Sequence, residues 1–210
     1  MLEIPLYLNH GNRCGQSAMK SVLKVLKPEK HFSWEELDCL TDYNDFKFTY
    51  PCQIANAFQR LNIPFKYFIK PGSAEIILSG SLPQRIRDVC GQHAEEVKKR
   101  TNFKALERSM RALLKGERLI ELQTHPPTQE MREFITESKI PICLIDYDVS
   151  IGKTSEFRGH FILLTSIGDE SIEYHNNGPK NPGVKQKMSL EKFLESWNLP
   201  SFDHNLIVAG

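Results

Sequence analysis

Residues 160–176 contain the feature that most restricts how this chain can fold. Residues 160–167 are an apolar run of strand length, residues 168–170 suit a tight turn, and residues 171–176 place apolar side chains between polar ones. This pattern predicts a β-hairpin. Because an apolar strand must be covered by another layer of the protein, the rest of the chain has to pack against this hairpin.

Helical patterns dominate the first half of the chain and strand patterns the second half. An S-x-x-E capping box at Ser33 and Glu36 and the proline at position 51 indicate where two helices begin. The predicted helices cover residues 14–26, 33–40, 51–61, 81–118, 128–138 and 189–197, and further predicted strands cover residues 64–69, 140–147 and 206–209. This order predicts an α+β fold, with helices packed against an antiparallel sheet.

The length and composition are those of one globular domain. The chain has 210 residues, of which 40% are hydrophobic and 25% are charged. We therefore expect a single domain over residues 1–210. Its formal charge of +1 provides no general attraction to nucleic acid or to an anionic membrane, so we expect neither of them as a partner.

Residues 81–118 form a basic segment, which we interpret as a helical insertion in the domain. The segment contains ten Lys and Arg residues against five Asp and Glu residues. Two interpretations are open for it. It is either a helical face exposed to solvent or a surface that docks a protein partner.

The cysteines and the first residues indicate the cellular compartment. Five cysteines are an odd number and include no C-x-x-C pair, so neither a complete disulfide framework nor a zinc knuckle explains them. Residues 1–5 lack the character of a secretion signal, and no apolar run of about 18 residues occurs. We expect a cytoplasmic protein without a metal or cofactor. Secretion or delivery to another cell by an unconventional signal stays open.

Cys14 is the first candidate for chemistry, because it lies at the start of a predicted helix. Unpaired N–H groups at a helix N-terminus favour the thiolate, which is the nucleophilic form of cysteine. Gly15 removes side-chain bulk, so we expect a substrate carbonyl to approach the sulfur there while the Cys14 N–H faces the developing oxyanion. A structural cysteine at the helix start is the alternative.

His160 and one of two asparagines are the candidate partners of this cysteine. His160 opens the apolar strand, where a general base would be both oriented and accessible. Folding of the hairpin about Asp169 brings residues 176–178 opposite His160, which places Asn176 or Asn177 to accept a hydrogen bond from the ring. We favour Asn176, which has the parity of the more apolar strand face. Asn177 suits the turn that follows.

Three segments make the sequence resemble the papain-like cysteine peptidases, and among them the bacteriocin-processing (double-glycine) peptidase-like branch. They are N-x-x-N-x-C-G-Q-S-A at residues 9–18, G-H-F-I-L-L at residues 159–164 and I-E-Y-H-N at residues 172–176. The resemblance spans most of the chain. It implies a papain-like cysteine proteinase fold, in which the helix of the nucleophile packs on a C-terminal antiparallel sheet.

The resemblance also implies a role for each candidate. Cys14 would be the nucleophile, His160 the general base and acid, and Asn176 the residue that orients the imidazole. His160 follows Cys14 by 146 residues, within the separation of about 130–150 residues that the papain arrangement uses.

One position departs from the family pattern. The family has a glutamine about six residues before the nucleophile as the second donor to the oxyanion, and this chain has Leu8 there. Asn9 carries the same carboxamide on a shorter side chain, so we expect it to be the substitute, with Asn12 as the second choice. The alternative for Asn9 is an ordinary turn residue.

These residues predict a thiol hydrolase that cleaves a peptide or amide bond of a peptide or protein substrate through a thioester. Two alternatives belong to other functional classes. An acyltransferase or deamidase of the transglutaminase type would use the same triad and resolve the thioester with a different nucleophile. A catalytically weak papain-like domain would serve as a protein- or peptide-binding module.

Overall fold

The computed structural model describes residues 2–117, 119–121, 128–156, 158–178, 180–198 and 205–210. Its helices are α1 (Cys14–Leu26), α2 (Trp34–Leu40), α3 (Pro51–Arg60), α4 (Ser73–Leu78), α5 (Leu82–Cys90), α6 (Ala94–Arg100), α7 (Phe103–Lys115), α8 (Thr128–Thr136), α9 (Tyr147–Ser150) and α10 (Leu190–Trp197). Its strands are β1 (Phe65–Ile69), β2 (Leu119–Glu121), β3 (Ile140–Asp146), β4 (Gly159–Ile167), β5 (Ser171–Asn176), β6 (Gly183–Ser189) and β7 (Leu206–Ala209).

The strands of the described residues form one sheet in the order β2-β1-β7-β3-β4-β5-β6. Strands β1 and β2 are parallel, and all other neighbouring strands in this sheet are antiparallel. The predicted α+β class is confirmed, with helices on a largely antiparallel sheet. The parallel pair differs from the expectation. It is possible because α4–α7 lie between β1 and β2, and two parallel strands need a long crossover connection.

Helices cover both faces of the sheet, which explains why its central strands are almost entirely apolar. Alternate residues of β3 and β4, such as Ile142 and Phe161, belong to a core shared with α1, α3 and α7. The residues between them, such as Cys143 and Ile162, belong to a second core shared with α8 and α10. Since both sides of these strands are buried, a continuous apolar run predicts them better than an alternating pattern does.

The helix starts follow the capping signals in the sequence. Ser33 Oγ accepts a hydrogen bond from the Glu36 N–H at 3.2 Å, and the Glu36 carboxylate accepts one from the Ser33 N–H at 2.8 Å, which confirms the predicted capping box. Ser189 Oγ caps α10 by accepting from the Lys192 N–H. Within the described part of the chain, no helix is both long and apolar enough to span a membrane.

Four elements, α4, α9, β2 and β6, are not among the predicted ones. The two helices have six and four residues, too few to show a helical repeat. Strands β2 and β6 lie at the two edges of the sheet. Strand β6 has the polar sequence G-V-K-Q-K-M-S and is largely exposed, as is common for edge strands that must not pair with another chain.

The structure describes the basic segment up to residue 117, and residue 118 lies outside the described residues. The segment has two parts, helix α7 and the pair of helices α5 and α6. Helix α7 packs on α3 and adds Leu106 and Met110 to the first core. Helices α5 and α6, joined by the 3₁₀ turn Gly91–His93, pack on each other around a separate small cluster that contains Ile86 and Cys90. The α5–α6 part thus has a small cluster of its own and contacts the first core through Leu82.

Gly15 has a different role from the one expected. It is buried in α1, and a Cβ atom at this position would lie 2.9 Å from Ile54 Cδ1 and 3.2 Å from the Phe161 ring. The absent side chain lets α1 approach α3 and β4 closely. The expectation that Gly15 makes room for a substrate carbonyl is wrong, because that space is filled by the core.

Gly15→Ala is expected to lower the free energy of unfolding by roughly 1–3 kcal/mol, because the added methyl group overpacks this contact. Ile54→Val removes Cδ1, the nearest atom, so the cost of Gly15→Ala is expected to be smaller in the Ile54→Val background. Urea denaturation of the wild type, both single variants and the double variant measures the coupling. Equal costs in the two backgrounds would contradict the packing role of Gly15.

Candidate active site

A short turn before α1 determines where Cys14 lies. Asn9 Oδ1 accepts a hydrogen bond from the Arg13 N–H at 2.8 Å. The first bond of the helix then runs from the Ser17 N–H to the Arg13 carbonyl, also at 2.8 Å. The N–H groups of Cys14 and Gly15 precede that bond, so they have no partner within the helix and are available at its N-terminus.

The Cys14 thiol is half-buried, and its surroundings affect its pKa in two directions. Burial raises the pKa above its ordinary value, whereas backbone N–H groups of Phe161, Gly15 and Cys14 itself lower it, and burial has the larger effect. Phe161 directly follows His160 in β4. The contact of the Phe161 N–H with the Cys14 thiol therefore joins the start of α1 to the start of β4, where the candidate base His160 lies.

A hydrogen bond to Asn176 determines which nitrogen of His160 carries the proton. His160 Nε2 lies 2.9 Å from Asn176 Oδ1, and both residues are buried. The orientation of the amide follows from its other bonds, since Asn176 Nδ2 donates to the carbonyls of Lys180 at 3.3 Å and Asn181 at 3.0 Å. An amide oxygen only accepts, so Nε2 carries the hydrogen. Nδ1 is thereby left as the proton acceptor of the ring.

Tyr147 and Gly178 enclose this hydrogen bond. The Tyr147 ring contacts the imidazole edge-on, with 5.6 Å between ring centroids and 82° between planes. The Gly178 N–H donates to Asn176 Oδ1 at 2.9 Å. A Cβ at Gly178 would lie 2.9 Å from both Asn176 Oδ1 and His160 Cε1, so a side chain at this position would push the pair apart.

Asn177 connects the end of β5 to the nucleophile helix. Its Nδ2 donates to the Cys14 carbonyl at 2.9 Å, and its own carbonyl accepts from the Asn9 N–H at 2.8 Å. Its neighbour Asn176 holds His160. Two consecutive residues thus position the two candidate catalytic groups. Of the two asparagines considered as imidazole partner, Asn176 makes the contact.

Burial favours the neutral forms of both groups. It lowers the pKa of His160 to about 4, although the hydrogen bond that His160 donates to Asn176 opposes that shift, and it raises the pKa of Cys14. These shifts favour a thiol and a neutral imidazole at neutral pH. They run against the expectation that the helix N-terminus favours the thiolate, because burial has the larger effect on the pKa of Cys14.

Cys14, His160 and Asn9 line one cavity of about 400 Å³. The cavity extends from the start of α1 to side chains of α4, α5, α6 and α7. The α5–α6 part of the basic segment is thus a wall of the cavity that contains the candidate nucleophile. A protein partner for this segment stays a prediction.

Both candidate carboxamides for the oxyanion, Asn9 and Asn12, line this cavity. Asn9 Oδ1 is held by the Arg13 N–H, so the Nδ2 group is the part of Asn9 that remains to donate. Asn12 Nδ2 already donates to the Asp45 carbonyl at 3.2 Å. The geometry therefore favours Asn9. Its role in the turn and its predicted role as a donor are compatible, because they use different atoms.

The structure adds Tyr147, Gly178 and the contacts of Asn177 to the predicted site. The pairing of β3 with β4 places Ile145 opposite His160, so the register of this pair would have identified Tyr147, two residues later, as a neighbour. The described residues contain no group of three or more His, Cys, Asp or Glu side chains that could hold a metal ion.

His160 is expected to titrate near pH 4, well below the value of about 6.5 for an exposed histidine. Between these two values the unfolded chain binds a proton that the folded chain does not. The free energy of unfolding is therefore expected to fall as the pH decreases from about 6.5 to 4, by on the order of 3 kcal/mol from this residue. NMR titration of the imidazole and urea denaturation across this range measure both effects.

His175 contributes to the same trend, because burial lowers its pKa as well. His160→Ala is therefore expected to flatten the dependence of stability on pH without removing it. A His160 signal that titrates near pH 6.5, or a pH dependence unchanged in His160→Ala, would show that the imidazole is not desolvated.

Comparison with known proteins supports this fold. Neither a protein-family model nor a curated protein sequence matches the chain. Among solved structures, the chain is similar to the peptidase domain of ComA from Streptococcus, described as a bifunctional ABC transporter involved in a quorum-sensing pathway, with 12% sequence identity and a TM-score of 0.51. The match covers 99% of this chain and 98% of the other. The expected likeness to a peptidase domain is confirmed at the level of the fold.

Proposed function

We propose that this protein is a thiol hydrolase that cleaves a peptide or amide bond. In this proposal Cys14 is the nucleophile, His160 the general base and acid, and Asn176 the residue that orients the imidazole. The observation that carries the proposal is the buried hydrogen bond from His160 Nε2 to Asn176 Oδ1, next to the cavity that Cys14 and His160 both line. This bond leaves Nδ1 to take the thiol proton.

The structural neighbour supports the substrate class and the papain-like arrangement. It is a peptidase domain, and the likeness extends over nearly the whole of both chains. A nucleophile at the start of a helix and a histidine at the start of a strand are the arrangement that the sequence motifs imply. This comparison supports the proposal of a peptide or protein substrate, while the proposed residue roles rest on the site itself.

The proposed reaction begins from the neutral pair. His160 Nδ1 accepts the thiol proton as Cys14 Sγ attacks the substrate carbonyl, so charge develops only when a substrate is in place. The imidazolium then protonates the leaving amine, and a thioester remains on Cys14. A water molecule, deprotonated by the same ring, hydrolyses the thioester and restores the thiol. Asn176 stabilises the imidazolium by accepting a hydrogen bond from its Nε2–H group.

The oxyanion would be held by two donors. The Cys14 N–H has no partner within α1, and Asn9 Nδ2 lies on the same cavity. Such donors act best when they are fixed before the reaction, and Asn9 is fixed by its bond with the Arg13 N–H at 2.8 Å. The shorter side chain of Asn9 would thus replace the glutamine that the motif lacks.

Alkylation by iodoacetamide tests the pair of Cys14 and His160. At about pH 6, Cys14 is expected to react faster than the exposed Cys39, because His160 removes its proton during the attack. The Cys14 rate is expected to fall below about pH 5, as His160 becomes protonated near pH 4. Site-resolved mass spectrometry measures the rate for each thiol in the same sample.

Two variants serve as matched comparisons in this experiment. His160→Ala is expected to remove the fast reaction of Cys14 and leave that of Cys39 unchanged. His31→Ala, which changes an exposed histidine outside the site, is expected to leave both rates unchanged. If Cys14 reacts no faster than Cys39 and does not respond to His160→Ala, the hydrolase is excluded and a binding module is favoured.

Asn9→Ala tests the second oxyanion donor. We expect the rate of Cys14 acylation by 4-nitrophenyl acetate to fall by about 10²–10³-fold, the usual effect of losing one donor. The alkylation rate of Cys14 is expected to change far less, because iodoacetamide reacts without forming an oxyanion. Stopped-flow detection of 4-nitrophenol measures acylation. A loss that appears in Asn12→Ala instead would assign the role to Asn12.

A further inference from the structure

The cavity beside Cys14 is lined mainly by apolar side chains, which the proposed reaction alone does not explain. They come from β1, α4, α5 and α7 and include Ile69, Ile76, Leu82, Ile86, Val89 and Met110. A volume of about 400 Å³ lies in the range of pockets that bind small organic ligands. It therefore suits an apolar group larger than one amino-acid side chain.

Apart from the Asn9 amide nitrogen, which the proposed oxyanion site uses, several polar groups on the cavity wall already have partners in the protein. Thr49 Oγ1 accepts a hydrogen bond from Gln16 Nε2 at 2.9 Å, and Asn205 Oδ1 accepts one from the Tyr67 hydroxyl at 2.5 Å. A peptide backbone inside the cavity would need new donors and acceptors, and an amide buried without them costs free energy. A hydrocarbon chain has no such groups, so the lining favours it over a peptide segment.

Two cationic side chains of the wall are also engaged. Arg158 Nε lies 2.8 Å from Asp148, and its terminal nitrogen lies 3.0 Å from Glu156. The Arg100 guanidinium stacks on the Phe48 ring at 4.1 Å. At these positions the wall compensates its own charge, so burial of apolar surface is what the cavity offers a ligand.

We propose that this cavity binds the straight hydrocarbon chain of an acyl group whose carbonyl Cys14 attacks, so that the substrate is an N-acyl amide. The inference rests on the proposed function and names its substrate class. Cys14 Sγ bonds to the acyl carbon and the bond to the amine nitrogen breaks. The thiol proton passes through His160 to that nitrogen, and water then releases the fatty acid.

The dependence of acylation on chain length tests this substrate class. The probes are 4-nitrophenyl esters of straight-chain acids with two to twelve carbons, and the rate in Cys14→Ala is subtracted as background. We expect kcat/KM to rise about fourfold for each added methylene group until the chain fills the cavity. A rate that is equal for the acetyl and octanoyl esters would overturn the inference and leave the hydrolase intact.

Substitutions that fill the cavity make the test specific. Val89→Trp in α5 and Ile76→Trp in α4 change half-buried side chains of the lining, and we expect each to shorten the chain length at which the rate stops rising. Val184→Trp is the control, because Val184 is 57% exposed on the edge strand β6. A chain-length dependence that is the same in Val89→Trp, Ile76→Trp and the wild type would place the chain elsewhere.

A binding measurement separates this inference from the proposed function. Calorimetry with octanamide and acetamide on Cys14→Ala requires no catalysis, and we expect only octanamide to bind, with its affinity reduced in Cys14→Ala/Val89→Trp. Binding of octanamide by a protein whose wild type acylates with none of the esters would refute the hydrolase and support the acyl-chain site. Ester turnover without octanamide binding would support the hydrolase and refute the acyl-chain site.

Discussion

The contacts of Asn177 hold the two halves of the candidate site together. Cys14 belongs to α1 and His160 to β4, and the relative position of these elements determines whether a proton can pass between the two side chains. Asn177 bonds the Cys14 carbonyl through Nδ2 and the Asn9 N–H through its own carbonyl. Because it directly follows Asn176, which fixes the imidazole, any shift of the β5 end moves both groups together. The site is thus built as one unit although its residues are far apart in sequence.

The packing that aligns the site also favours the uncharged forms of Cys14 and His160. Burial lowers the pKa of His160 to about 4 and raises that of Cys14, so an ion pair is costly until a substrate is bound. Instead of an ion pair, the site has a fixed tautomer of His160. Asn176 Oδ1 accepts a hydrogen bond from His160 Nε2, which leaves Nδ1 as the proton acceptor of the ring. In the proposed proton transfer from Cys14 to His160, the orientation of the imidazole therefore matters more than the resting charge of the sulfur.

The hairpin and the pairing of His160 with Asn176 could be predicted from the sequence, and the two expectations that differ from the structure share a cause. The hairpin register follows from the positions of its turn, and Asn176 lies opposite Ile162, two residues from His160, as the pattern requires. The space beside Gly15 and the direction of the Cys14 pKa shift differ from the expectation, because both depend on what packs against α1 from α3 and β4. Local patterns specify the start of a helix, but they contain no information on the desolvation that a distant strand imposes.

Helices α4–α7 supply much of the cavity wall, whereas the candidate catalytic residues Cys14 and His160, which also line the cavity, lie on α1 and β4. Strands β1 and β2 are parallel, so the chain between them must cross over the sheet, and α4–α7 are that crossover. Helix α7 packs into the main core, whereas α5 and α6 have only a small cluster of their own beside the cavity. The bond between His160 and Asn176 instead joins β4 to β5 and does not involve α5. The shape of the cavity and the orientation of the imidazole therefore depend largely on different elements of the fold.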